Sequence, residues 1–125
     1  MASTARCRRI IQLSPCPGIM TLLTQWLGCY WGEEDTWFYF EADDDGLVTR
    51  QIELQGPERT PIAAAQLDEW RHAWQEGSVR DYESRYGRCA DQPLTTWRCP
   101  QPVTLTRLEY DKIWQEARQA IDRRL

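Results

Sequence analysis

At 125 residues with a net charge of −4, the chain is long enough for one domain with a real core. It has no broad basic face for nucleic acid. It also lacks a run of about 20 apolar residues, which excludes a membrane-spanning helix. Seven Trp and five Tyr promise an aromatic core.

Residues 1–19 carry Arg6, Arg8 and Arg9 and no acid, so they contribute +3 and the rest of the chain carries −7. Pro15, Pro17 and Gln12 interrupt the apolar run that a signal peptide needs. Arg8-Arg9 alone is a poor twin-arginine signal, and Trp26-Leu27-Gly28-Cys29 is a poor lipoprotein box. We expect a disordered tail or a start codon assigned too early, with translation beginning at Met20. Residues 20–125 then form a single α+β domain.

Thr21–Trp31 is apolar and aromatic and predicts a strand ending at Gly32. Glu33-Glu34-Asp35 makes an acidic loop. The segment 37–54 predicts a β-hairpin. Asp45-Gly46 suits a two-residue turn that needs positive φ, with Asp44 opposite Leu47. Glu41 then faces Arg50, Tyr39 faces Ile52, Trp37 faces Leu54, Phe40 meets Gln51 and Phe38 meets Glu53. The alternative four-residue loop over 43–46 loses the Glu41–Arg50 match. Aromatic residues on both faces imply cover on both sides of the sheet.

After the turn at 55–58, Thr60 and Pro61 read as N-cap and first residue of a helix over 61–76, closed by Gly77. Its buried stripe is Ala63, Leu67, Trp70 and Trp74. Ser78 with Asp81 resembles a capping box opening a helix over 79–86, with Val79, Tyr82 and Tyr86 inward. Residues 88–105 read as a loop with one extended piece near 95–98. The last helix, over 107–124, starts at a Thr106-x-x-Glu109 capping box. Tyr110, Ile113, Trp114, Ala117 and Ile121 form its apolar stripe, and Arg118, Arg123 and Arg124 suit its C-terminal end. The expected fold is therefore a small antiparallel sheet, with the hairpin at its centre, packed by three helices.

Five cysteines without a CxxC pair point to free thiols in a cytoplasmic protein, with Cys89–Cys99 the one bridge that export would favour. Motif tests for chemistry find little. Residues 41–52 fail as an EF-hand, because Ile52 stands where a bidentate Glu is needed. A single histidine, His72, excludes a His-based metal site, and no elbow supports a nucleophile beside it. No glycine-rich phosphate loop or cofactor motif is present. Glu41 and Glu53 point to opposite faces and cannot share acid–base work. Arg80, Arg85 and Arg88 with Tyr82 and Tyr86 offer the groups to bind a phosphate or a carboxylate, but read first as the wet and inner sides of one helix.

Tyr39-Phe40-Glu41, Asp45-Gly46 and Arg50-Gln51-Ile52-Glu53 together resemble a pattern in small uncharacterised bacterial α+β proteins, some of them immunity proteins of polymorphic toxin systems. The resemblance covers about fifteen residues and implies a domain of unknown function. The expected function is non-enzymatic binding of a basic protein partner through Glu33, Glu34, Asp35, Asp43, Asp44 and Asp45, with Trp31 as an aromatic anchor. The alternative is a ligand pocket or small enzyme built on Tyr39, Glu41, Arg50 and Arg80. No catalytic residue, metal or cofactor is assigned, and the oligomeric state is left open.

Overall fold

The computed structural model describes residues 24–94 and 98–124. The expectations for the first 19 residues and for a start at Met20 lie outside these, as does most of the extended piece near 95–98. The fold is α+β. Strands β1 (Gln25–Trp31), β2 (Thr36–Ala42), β3 (Val48–Gln55), β4 (Thr60–Gln66) and β5 (Val103–Thr104) form one antiparallel sheet in the order β4-β3-β2-β1-β5. Helices α1 (Leu67–Glu76), α2 (Val79–Tyr86) and α3 (Arg107–Asp122) complete it. Among the described residues, no helix is long and apolar enough to cross a membrane.

The hairpin pairs Trp37 with Leu54, Tyr39 with Ile52 and Glu41 with Arg50, the register that charge and aromatic matching predicts. Its tip differs from the expected two-residue turn. Gly46 N–H donates to the Asp43 carbonyl (2.9 Å), and Asp43 N–H donates to the Leu47 carbonyl (2.9 Å). Asp43 therefore faces Leu47 across three residues, with Gly46 at φ 85°, where a side chain would be strained. A bulge restores the register, because Ala42 pairs with Val48 while Glu41 pairs with Arg50. Thr49 is the extra residue. The Asp43 carboxylate fixes the tip by accepting from Asp45 N–H (3.0 Å) and Leu47 N–H (2.9 Å).

Residues 60–66 correct the helix expected over 61–76. They form strand β4, and α1 begins only at Leu67. Alanines favour helix, but here β3 takes a second partner, pairing Ile52 with Ala64 and Gln51 with Ala65. Pro61 is tolerated because β4 is an edge strand. The small side chains matter on both sides. Ala64 and Ala65 are fully buried, and the Ala64 carbonyl accepts from Arg118 Nε of α3 at 2.8 Å. The α1 stripe shifts accordingly. Ala73 is its buried residue, while Trp74 is 63% exposed and stacks on Trp70. Gly77 closes α1 as expected.

Helix α2 has the predicted span, but Ser78 makes no side-chain cap, so the Ser78–Asp81 box is not formed. The Thr106–Glu109 box is formed in both directions.

Each face of the sheet has its own core. On one face Tyr39, Ile52, Leu54 and Ala64 meet Tyr110, Ala117 and Ile121 of α3, flanked by Trp26, Trp37 and Trp114. Gly28 sits on this face because a Cβ would lie 2.9 Å from the Tyr39 ring. On the other face Cys29, Phe40, Val48, Ala65 and Cys89 pack with Phe38, Leu94 and Cys99. Here the cover comes from loop residues 88–94 and 98–99, with Leu67 of α1 and Tyr82 of α2 beside them. Cys29 and Cys99 form a disulfide, with Cα atoms 5.8 Å apart, and Cys89 is a buried free thiol. This corrects both the expectation of free thiols and the alternative Cys89–Cys99 bridge. A loop has no helical period to show which cysteine it carries to strand β1.

Candidate functional site

Side chains alternate along β3, so Gln51 and Glu53 face the loop-covered side while Arg50 and Ile52 face α3. Phe38 stands opposite Glu53 in the register. With Trp31 of β1 these residues floor a cavity of about 660 Å³, and residues 88–92 together with Arg98 line its other wall. Several bonds hold that wall. Ala90 N–H donates to Gln51 Oε1 at 2.7 Å, and Leu94 N–H to the Gly46 carbonyl at 2.7 Å. The Cys89 thiol donates to the Ala65 carbonyl at 3.5 Å, and the disulfide ties Cys99 to β1.

Gln51 works in two directions. Its carbonyl is held by Ala90, which leaves its amide nitrogen to donate to Glu53 Oε2 at 3.0 Å. That neutral amide is the partner of Glu53. Among the described residues no cation pairs with it. Burial pushes the Glu53 carboxyl above its ordinary value. The Gln51 bond pulls the other way, and the negative charge of Glu34 adds to the rise. Trp31 Nε1 is buried without an acceptor among the described residues. Arg88 lies 3.5 Å from Asp91, with both side chains more than half exposed, and Arg98 is exposed without an ion pair among the described residues. The Cys89 thiol on the same wall is pushed up to about 12 by burial, so it is inert at neutral pH.

The face under α3 is different. Arg50 Nη2 donates to Glu41 (2.6 Å) and to Asp111 (2.7 Å), and Arg50 Nε gives Glu41 a second bond (3.1 Å). Trp26 Nε1 and Thr49 Oγ1 also donate to Glu41, both at 2.8 Å. The guanidinium lies over the Tyr110 and Trp114 rings. Burial alone would raise Glu41, but the bonds from Arg50, Trp26 and Thr49 outweigh it and hold the carboxyl below its ordinary value. Glu69 is likewise held low against burial, by Arg118 and Tyr82. Glu41 and Arg50 are thus consumed by one another and by α3. Tyr39 is buried, and its hydroxyl accepts from Arg59. Arg80 lies exposed on α2, without an ion pair among the described residues. The four residues of the expected alternative pocket therefore do not converge on one.

The acidic loops do not converge either. Glu33, Glu34 and Asp35 lie at one end of β2 and Asp43, Asp44 and Asp45 at the other, about 20 Å apart along the strand. Asp35 accepts from the Tyr30 hydroxyl at 2.7 Å, and Asp43 is committed to its own turn. The carboxylates of Asp43, Asp44 and Asp45 lie within 4.8 Å of one another, as neighbours on a tight turn do. His72 is 69% exposed and bonds Glu76 at 3.0 Å.

Of the residues singled out in the sequence, Trp31 lines the cleft and Glu34 acts on it electrostatically. Glu53, tested as half of an acid–base pair, and Arg88, tested as part of an anion site, also line it, while Phe38, Gln51 and Arg98 are additions. A signal for part of the set was present, since the register already placed the Glu53 carboxylate opposite a phenyl ring with no cation in reach. No family model, no curated protein and no solved structure matches the chain.

Proposed function

We propose that the chain is a small non-enzymatic binding domain that accepts a cationic group at Glu53. One observation carries this reading, a half-buried carboxylate inside a cleft that makes no ion pair among the described residues. A desolvated charge is costly unless paired, and a ligand ammonium would supply the missing partner. Phe38 and Trp31 add aromatic walls that favour a cation, and Glu34 adds negative potential. The other carboxylate on the wall, Asp91, is exposed and faces Arg88, so among the described residues Glu53 is offered no second carboxylate to work with.

An immunity-like protein that grips a basic partner along both acidic loops is the weaker reading. The loops stand at opposite ends of the sheet, and two of their six acids are bonded internally. The Cys29–Cys99 bridge favours an oxidising compartment over the cytoplasm.

The test is a titration of the full chain with phenethylammonium chloride, followed through the Trp31 indole N–H resonance. Saturable binding that weakens about tenfold or more in Glu53→Gln, and persists in Asp44→Asn, is the expected result. Equal binding by Glu53→Gln, or no binding at all, would overturn the proposal.

A further inference from the structure

The cleft carries uncommitted charge of both signs. Among the described residues Glu53 makes no ion pair with a cation and Arg98 none with a carboxylate, yet both line one cavity. Arg88 is held only by a 3.5 Å contact to Asp91, with side chains 59% and 75% exposed, and such a contact contributes little. Counted together, Glu53 and Asp91 balance Arg88 and Arg98, so the lining carries both signs and no net charge. A ligand with only an ammonium would satisfy Glu53 and face two guanidiniums. A ligand with only an anion would satisfy the guanidiniums and face Glu53. One molecule carrying both groups satisfies both ends.

Resting on the binding role of Glu53, we infer that the ligand is a zwitterion of the α-amino-acid type. Its ammonium sits on Glu53, its carboxylate on Arg98 and Arg88, and an apolar side chain lies against Phe38 and Trp31. A guanidinium is the side chain best shaped to grip a carboxylate, through two parallel N–H bonds. The volume of about 660 Å³ falls within the range of small-molecule sites and leaves room for an aromatic side chain.

Three probes separate the two charges. They are L-phenylalanine, its amide L-phenylalaninamide, which lacks the anion, and 3-phenylpropionate, which lacks the ammonium. Calorimetry on the full chain should rank phenylalanine about tenfold or more tighter than either analogue. Arg98→Ala, a change at an exposed position, should remove the advantage over phenylalaninamide without weakening phenylalaninamide itself. Glu53→Gln should remove the advantage over phenylpropionate. Circular dichroism checks that both variants fold. If phenylalaninamide binds as well as phenylalanine, the zwitterion is wrong while the cation site at Glu53 stands. Should phenylpropionate bind best, or none of the three bind, both proposals fall.

Discussion

Arg50 and Glu53 stand three residues apart on one strand and face opposite sides of the sheet. The Arg50 side is covered by a helix that brings Asp111, Tyr110 and Trp114 to the guanidinium, and Arg50 is paired with both Glu41 and Asp111. On the Glu53 side the covering loop gives Gln51 a backbone N–H and brings Arg88 and Arg98 to the cleft, yet among the described residues the acid makes no ion pair. One arrangement holds the fold together. The other leaves electrostatic energy to be gained by something outside the chain. The contrast teaches that a buried charge is read by its partner set, since Glu41 and Glu53 have the same chemistry and lie on neighbouring strands.

The sharpest way to break the contrast is Arg50→Ala. It strands Glu41 and Asp111, with Glu41 only 17% exposed, and should cost about 3–5 kcal/mol in urea unfolding. Reduction of Cys29–Cys99, which spans 70 residues, should cost about 2–4 kcal/mol. It should also weaken phenethylammonium binding, because it frees one anchor of the cleft wall. Comparing melting temperatures with and without reductant, alongside the ligand titration, checks both effects.

The two acids should also leave opposite marks on the pH dependence of stability. Glu41 is held below its ordinary value, so its contribution is present above the ordinary glutamate range. That contribution is lost as pH falls through the lowered folded-state value. Glu53 is raised, so the unfolded chain releases this proton first. Its contribution is present at low pH and is lost as pH rises through the raised value. Glu53→Gln should therefore raise the melting temperature by a few degrees at neutral pH and change nothing in acid. Thermal scans across pH on both proteins measure this. By the same linkage, an ammonium ligand should bind more tightly as pH rises through the raised value of Glu53. The smallest effect expected is that of Thr106→Ala, which removes the α3 cap at about 1 kcal/mol and should leave ligand affinity untouched.

Much of the first face was legible in the sequence. Glu41–Arg50 and Tyr39–Ile52 fixed the hairpin register, and Thr106–Glu109 with the Tyr110–Ile121 stripe located α3. The strand at 60–66 was not, because Thr-Pro followed by alanines satisfies local helix rules. Its strand state comes from pairing with β3, which no local window contains. The turn at 43–47 was misread by one residue, and the Thr49 bulge compensated further along. The cleft was half legible. Its floor follows from strand alternation at Phe38, Gln51 and Glu53, but its wall is an aperiodic loop joined to β1 by a long-range disulfide.

The most direct test of the account is a carbon-13 NMR titration of the side-chain carboxyls from acid to neutral pH. The account predicts that Glu53 titrates above, and Glu41 below, the ordinary glutamate value. Glu53 titrating at or below that value would mean that a cation already pairs with it, and the contrast between the two faces would be wrong.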